Sequence, residues 1–477
     1  MNVPSWQFLV FAVVGALLYN LLSGRPARWL LLVLNLGFFS TFIRGWESVL
    51  PYAGFMAFGY AGVVTLRKRP TTPMFLLFLG GVLAGFFWLK KYIFVPEATT
   101  LGFFYTTIGL SYVFFRVLHL VIDVRQGAIT EPISPLQYLN YTLNFPALVS
   151  GPIQLYPDYK AAEESPRRFP DPFTLGYAAE RIATGFFKVA IVSTALSKWQ
   201  HWTIDHLTAD LPVMTRAADV ALLSALYPLF LYANFSGYTD FVIGVGRLFR
   251  NVLPENFSNP FAAENIILFW TRWHMTLSNW LRTYVYTPFL MTLMRRLPSR
   301  TLEPYFGVLA FFVTFFLVGA WHGQTASFMM FGVLQGGGMA LNKLYQIRMA
   351  DVLTRKGYRA LSANVLYRAV SRGLTFTWFT FTLLWFWSDW AKVEQMIGIA
   401  SPAAFALAWA LMLVVSTVLL AAFVALQEAA MKPTAGGEPI VTSRYLRTAT
   451  VTAMVVITVA SLVLLSGPAP DIVYKNF

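Results

Sequence analysis

Phe311-Phe312-Val313-Thr314-Phe315-Phe316-Leu317-Val318-Gly319-Ala320-Trp321 closes on His322 and Gly323. A run this apolar does not face water, and others like it fill the chain on both sides. Of the 477 residues 57% are hydrophobic and 12% charged, where a soluble globular protein carries about 45–50% apolar and about 25% charged residues. Half the usual charge cannot cover a water-facing surface of this size. A soluble enzyme, a disordered protein and a coiled coil are thereby excluded, and a polytopic membrane protein remains. The 43 Phe, 22 Tyr and 15 Trp fit the same solvent, because aromatic rings fill bilayer-depth cores and interfacial belts.

Further apolar runs lie at 1–20, 28–43, 46–66, 74–94, 101–122, 179–196 and 218–238, then at 305–321, 327–344, 374–387, 403–426 and 451–465. At about 20 residues per crossing they predict an all-α integral membrane bundle of about ten to twelve transmembrane helices. The first run has no Lys or Arg ahead of it and no clear small-residue cleavage site, so it reads as a helix and not as a removable signal peptide. The net charge is +14, and the basic residues cluster in short loops: Arg25 and Arg28, Arg67-Lys68-Arg69, Arg125, and a set from Lys343 to Arg372. The positive-inside rule puts these loops in the cytoplasm and both termini on the outer face, without calling on nucleic acid. Lys90 and Lys91 sit near the outer end of the fourth run, where long stems snorkel to the interface.

Two polar intervals, 125–177 and 251–303, interrupt the spans. The first carries Pro132, Pro135, Pro146, Gly151, Pro152 and Pro157, which suits re-entrant or interfacial backbone. At membrane depth such backbone survives only when buried in protein or lining a cavity, so a site is expected there. With no repeat period, the chain reads as a single domain over 1–477.

The absence of cysteine excludes disulfides, thiolate metal ligands and a Cys acyl-enzyme. No metal-binding spacing, P-loop or dinucleotide fingerprint is present, so neither a metal nor a bound cofactor is expected. Gly336-Gly337-Gly338 reads as close helix packing. Of the five histidines, His201 and His206 read as members of a solvated loop beside Asp205 and Asp210. His119 shares a helix face with Arg116 and Asp123, a set best read as a structural network. His322 differs: an ionisable group at membrane depth is costly, which makes function its first reading and a helix-end cap its second. His274 lies in Phe269–Leu281 (FWTRWHMTLSNWL). Read as one helix, this stretch puts Trp270, Trp273, Leu277, Trp280 and Tyr284 on a stripe, with His274 and Ser278 on the adjacent face. An interfacial amphipathic helix anchored by Trp and Arg fits that pattern, and it leaves His274 equally readable as polar-face decoration or as a site residue.

Four stretches in this order resemble the membrane-bound O-acyltransferase family, in particular its bacterial branch, which includes the alginate O-acetyltransferase membrane subunit and the teichoic-acid D-alanyl transfer protein. They are LHLVIDVRQG at 118–127 with FPALVSGPI at 145–153; NFSGYTDFVIGVGRLF at 234–249 with LPENFSNP at 253–260; FWTRWHMTLSNWL at 269–281; and GAWHG at 319–323. The resemblance covers about 105–345, and Thr271 stands where the family pattern has a basic residue. It implies that His322 is the catalytic histidine and His274 a second functional position, inside a helical ring with re-entrant helices around a central tunnel. Asn234, Asp240, Arg272, Trp273, Ser278 and Trp321 are then candidate substrate or tunnel contacts.

The same resemblance extends to the C-terminal tail, 466–477. In this branch a terminal aromatic-x-Tyr-x-x-Phe hexamer receives the acyl group on its Tyr. Here Ile472 replaces the first aromatic, while Tyr474 and Phe477 are in place. The implied reaction brings a thioester (acyl-CoA or an acyl-carrier-protein pantetheine) from the cytoplasm of a bacterial inner-membrane protein. His322 takes the proton of the acceptor hydroxyl, and an outer-face acyltransferase or esterase-like partner passes the group to an envelope polymer. The alternative from another class is a transporter or flippase of an envelope precursor, with His322 and Asp240 as a proton relay.

Overall fold

A computed structural model describes residues 1–165, 169–432 and 443–464, and among these there is no strand. The described residues divide into two compact units, one from Met1–Val189 and Phe235–Glu255, the other from Ala190–Asn234 and the described residues from Asn256 on. The first begins with α1 (Trp6–Leu21), α2 (Gly24–Ser40), α3 (Leu50–Lys68), α4 (Thr72–Leu89) and α5 (Leu110–Gln126). The short α6 (Pro135–Thr142) and α7 (Tyr156–Glu164) and the longer α8 (Pro172–Phe187) follow. Next in the chain are α9 (Thr194–His206) and α10 (Val213–Leu248), within which the division between the units falls. The second unit continues with α11 (Ile266–Trp270), α12 (Met275–Leu281), α13 (Thr287–Arg296), α14 (Glu303–His322) and α15 (Ala326–Val352). It closes with α16 (Thr354–Ala363), α17 (Val365–Trp387), α18 (Trp390–Ala400), α19 (Pro402–Ala430) and α20 (Arg444–Leu464).

Each of the twelve apolar runs read from the sequence overlaps a helix. Among the described residues, five helices are long and apolar enough to cross a membrane: Trp46–Lys68, Thr72–Leu89, Val213–Leu248, Glu303–His322 and Pro402–Ala430. Outward faces are greasy, as lipid requires: α19, one of the five, exposes Val414, Val418, Leu419 and Leu426, and the shorter α1 exposes Val10, Val14, Leu17 and Leu21. The ends follow local chemistry. Ser5 Oγ accepts from Phe8 N at 3.1 Å to cap α1, Asp171 Oδ1 accepts from Thr174 N at 2.9 Å to cap α8, and Gly127 at φ +75° stops α5.

Two expectations are corrected here. The run 101–122 becomes helical only at Leu110, after Gly109 adopts φ +66°, where a Cβ would run into Leu148 O. His201 and His206 belong to α9 rather than to a loop, because α8 runs on through a π-turn, Lys188–Ser193, into that helix. His206 Nδ1 lies 3.0 Å from Asp219 Oδ2.

Glycines set the close contacts. A Cβ on Gly336 would meet Phe312 O at 2.6 Å and one on Gly332 would meet Phe316 O at 2.6 Å, so α14 and α15 touch backbone to backbone. In a bilayer, where apolar burial supplies no drive between helices, such small-residue contact and interhelical hydrogen bonds carry the packing. The polar interval 125–177 folds back into its unit through hydrogen bonds. Asn35 Nδ2 donates to Asn140 Oδ1 at 3.1 Å, and Phe145 N donates to Asn35 Oδ1 at 2.9 Å.

Candidate active site

His322 is the last residue of α14, and Gly323 follows it in extended backbone. The imidazole is 2% exposed and boxed by rings, with centroids at 4.6 Å to Trp321, 5.0 Å to Phe386 and 5.8 Å to Phe331. Phe386 comes from α17 and Phe331 from α15, so three helices converge on one ring. Any side chain at Gly323 would run into the ring of Phe328, which packs edge-on against Phe386 at 5.5 Å. The glycine therefore keeps the aromatic box closed around the histidine.

The stretch 269–281 is not the continuous amphipathic helix its pattern predicts. It breaks after Trp270, and His274 stands at φ 44°, ψ 52° as the N-cap of α12. A left-handed conformation is costly for a residue with a Cβ and persists only where its surroundings over-determine it. Here the preceding loop does so. Phe257 and Trp273 form an isolated antiparallel bridge. Ser258 N donates to Arg272 O and Met275 N to Asn256 O, both at 2.9 Å. The tryptophans expected at an interface are core instead: Trp270, Trp273 and Trp280 are all under 5% exposed. Trp270 Nε1 donates to Gln335 Oε1 at 3.0 Å, and Gln335 Nε2 to Thr382 Oγ1 at 2.7 Å. A polar chain thus ties α11 to α15 and α17.

His274 is 1% exposed, and Asn256, at 0%, faces it. The Asn256 Oδ1 atom lies 3.1 Å from His274 Nδ1, 3.2 Å from Thr276 N and 2.9 Å from Thr276 Oγ1. A backbone N–H only donates, so the Asn256 atom facing Thr276 N is the amide oxygen, and the His274 nitrogen facing that oxygen carries the proton. The segment lies outside the five candidate spans, and burial lowers the His274 pKa to about 3. The ring is therefore neutral, with Nδ1 protonated and the lone pair on Nε2. His274 and His322 both pack on the indole of Trp321, the His274 centroid at 6.3 Å.

The other candidates are distributed as follows. Arg272 and Ser278 are half-buried on this same turn, with Ser278 Oγ 3.5 Å from Trp273 O. Asn234 is fully buried in α10. Asp240 belongs to the other unit, where Arg181 Nη2 and Lys188 Nζ each approach its carboxylate at 2.7 Å. Arg181 also forks onto Glu255 at 2.8 and 2.9 Å. A carboxylate clamped by two cations is an ion-pair anchor, an unfavourable arrangement for half of a proton relay. Tyr474 lies outside the described residues. No group of three or more His, Asp or Glu able to hold a metal occurs among the described residues.

His119 is a structural pin, as its spacing indicated. Its Nδ1 lies 2.9 Å from Asp123 Oδ2 and its Nε2 accepts from Tyr156 N at 3.0 Å, while Arg116 donates to Thr142 O and Ala147 O, both at 2.8 Å. The residues sequence reasoning passed over are Asn256, Thr276, Gln335 and Phe386. Asn256 stood inside the quoted LPENFSNP, but only the tertiary contact connects it to His274.

The family model that matches the chain is described as MBOAT, membrane-bound O-acyltransferase family, over residues 70–386. The chain is 31% identical over 231 residues to a protein named teichoic acid D-alanyltransferase from Bacillus subtilis, a stretch covering 47% of this chain and 56% of the relative. It is 28% identical over 354 residues to the probable alginate O-acetylase AlgI of Pseudomonas putida, covering 70% of this chain and 69% of that one. The peptidoglycan O-acetyltransferase of Helicobacter pylori is 29% identical over 214 residues, covering 44% and 38%. The chain spans about half the length of most relatives it matches.

Proposed function

Because the chain belongs to the membrane-bound O-acyltransferase family and is a multi-pass membrane protein, we propose that it transfers an acyl group from a thioester to a hydroxyl for modification of a cell-envelope polymer. The observation that carries the reading is the pair of imidazoles, His322 and His274, packed on one indole in a buried aromatic box. In this reading the protein resides in a bacterial inner membrane with both termini outside. The donor is acyl-CoA or an acyl-carrier-protein pantetheine, reaching the box from the cytoplasm. His322 takes the proton as the acceptor oxygen attacks the thioester carbonyl; the tetrahedral intermediate then expels the thiolate, which leaves as thiol with that proton. A positioned general base contributes about 10²–10⁴-fold. The Trp321 Nε1–H is the donor suited to steadying the oxyanion. With its lone pair on Nε2, His274 acts from that nitrogen as an acceptor. The acceptor hydroxyl belongs to Tyr474 or to an outer-face partner, which passes the acyl group on; the relatives' names point to alginate, teichoic acid or peptidoglycan as the kind of final polymer.

The test is His322→Ala in the full chain, expressed in cells and read as ester-linked acyl groups released from the envelope by mild base. Loss of the ester at unchanged membrane abundance supports the reading; wild-type ester content overturns it. Mass spectrometry of the C-terminal peptide gives the adduct on Tyr474 and so the cargo; an unmodified tyrosine under turnover removes the tyrosyl relay.

A further inference from the structure

We infer that Asn256 is a positioning residue that fixes His274 with its proton on Nδ1, so that Nε2 serves the acyl-transfer site as a hydrogen-bond acceptor. The inference rests on the reading above in one respect, that His274 belongs to the reacting site. Its geometric part stands by itself. Imidazole in water holds two tautomers, and which nitrogen carries the proton in a protein is set by the partner of the other. Asn256 supplies an oxygen whose identity is secured by a backbone N–H, that of Thr276 at 3.2 Å, and by the Thr276 hydroxyl at 2.9 Å.

The cost side of this arrangement points the same way. Asn256 is fully buried, a position where an aliphatic side chain is the ordinary occupant. Its Nδ2 makes no hydrogen bond among the described residues, and a buried amide donor left unbonded is unfavourable. Only the oxygen of this side chain is used. The backbone of the same residue accepts from Met275 N at 2.9 Å, which holds the left-handed turn at His274. One residue therefore sets both the direction of the ring and its tautomer. A His274 so fixed accepts a hydrogen bond from a hydroxyl or a pantetheine amide N–H and cannot donate one from Nε2.

Five histidines make the test practical. The full chain, labelled with ring-¹⁵N histidine and placed in lipid nanodiscs, is compared with His274→Gln to assign the His274 signals. The expected spectrum has a protonated Nδ1 and a bare Nε2 for His274. A protonated Nε2 with a bare Nδ1 in the wild-type protein overturns the inference without any Asn256 variant. Asn256→Asp keeps the oxygen, so it retains the Nδ1–H signature, while its charge makes His274 titrate at higher pH. Asn256→Leu removes the oxygen, releases the tautomer and lowers base-releasable ester by at least about tenfold. Wild-type ester in Asn256→Leu with a silent His322→Ala sinks the positioning role alone. Wild-type ester in His322→Ala sinks the parent reading and leaves the tautomer result standing.

Discussion

His119 and His274 are both buried histidines with Nδ1 against an oxygen, yet their surroundings make them different devices. His119 sits mid-helix in α5, with a carboxylate on Nδ1 and the backbone N–H of Tyr156 on Nε2. Both nitrogens are spent within the fold, one on Asp123 of the same helix and one on the first residue of α7. His274 sits at a left-handed break between two short helices, its Nδ1 against an uncharged amide and its ring on the indole that also packs against His322. The difference teaches that burial and residue type do not separate a structural imidazole from one proposed to act in transfer. The partner of each nitrogen does.

The comparison breaks most visibly in a matched pair. His322→Ala, in the same box as His274, is expected to cut transfer per folded molecule by at least about 100-fold with little change in thermal unfolding. His119→Ala is expected to destabilise by about 2 kcal/mol, the cost of losing a buried hydrogen bond to a carboxylate, while the molecules that fold keep their transfer activity. Thermal unfolding in detergent beside envelope ester content decides it, and equal loss of activity at equal stability in both variants erases the distinction.

Smaller effects sharpen it. Gly332→Val pushes a Cβ into Phe316 O, which lies 2.6 Å from that position, and is expected to cost about 2 kcal/mol by overpacking. Because α14 carries His322, transfer should fall with it, and a variant of normal stability and activity would show that the contact yields. Asp123→Asn turns the partner of His119 into the kind His274 has. A loss of about 1 kcal/mol is expected from replacing a charge-assisted bond by a neutral one, with transfer unchanged; a change in transfer per folded molecule would move His119 into the machinery. The smallest effect belongs to Asp171, whose pKa is lowered by the backbone N–H of Thr174. A depressed carboxyl stabilises above its unfolded value and loses that contribution as pH falls through the folded one. Asp171→Ala should thus unfold slightly earlier than wild type at neutral pH, and the gap should close in acid.

Much of the molecule was legible because hydropathy is a local quantity. Runs such as 218–238 and 403–426 predict helices wherever they end up, since a bilayer leaves their backbone no other way to bond. His322 stood out for the same reason, as one ionisable group at the end of an apolar helix. The 269–281 stretch was misread through an assumption hidden in periodicity: a stripe at three- and four-residue spacing requires one continuous helix, and φ 44° at His274 resets the phase. The tryptophans on that stripe consequently point inward to Gln335, Phe379 and Phe315 and not to an interface.

The order of residues alone therefore determined the solvent, the helical class and which imidazole is the first candidate for chemistry, because each follows from the transfer cost of groups close together in the chain. What only the tertiary structure decided is which oxygen meets which nitrogen. Asn256 reaches His274 across 18 positions and Tyr156 reaches His119 across 37, and a hydrogen bond depends on tenths of an ångström that no spacing encodes.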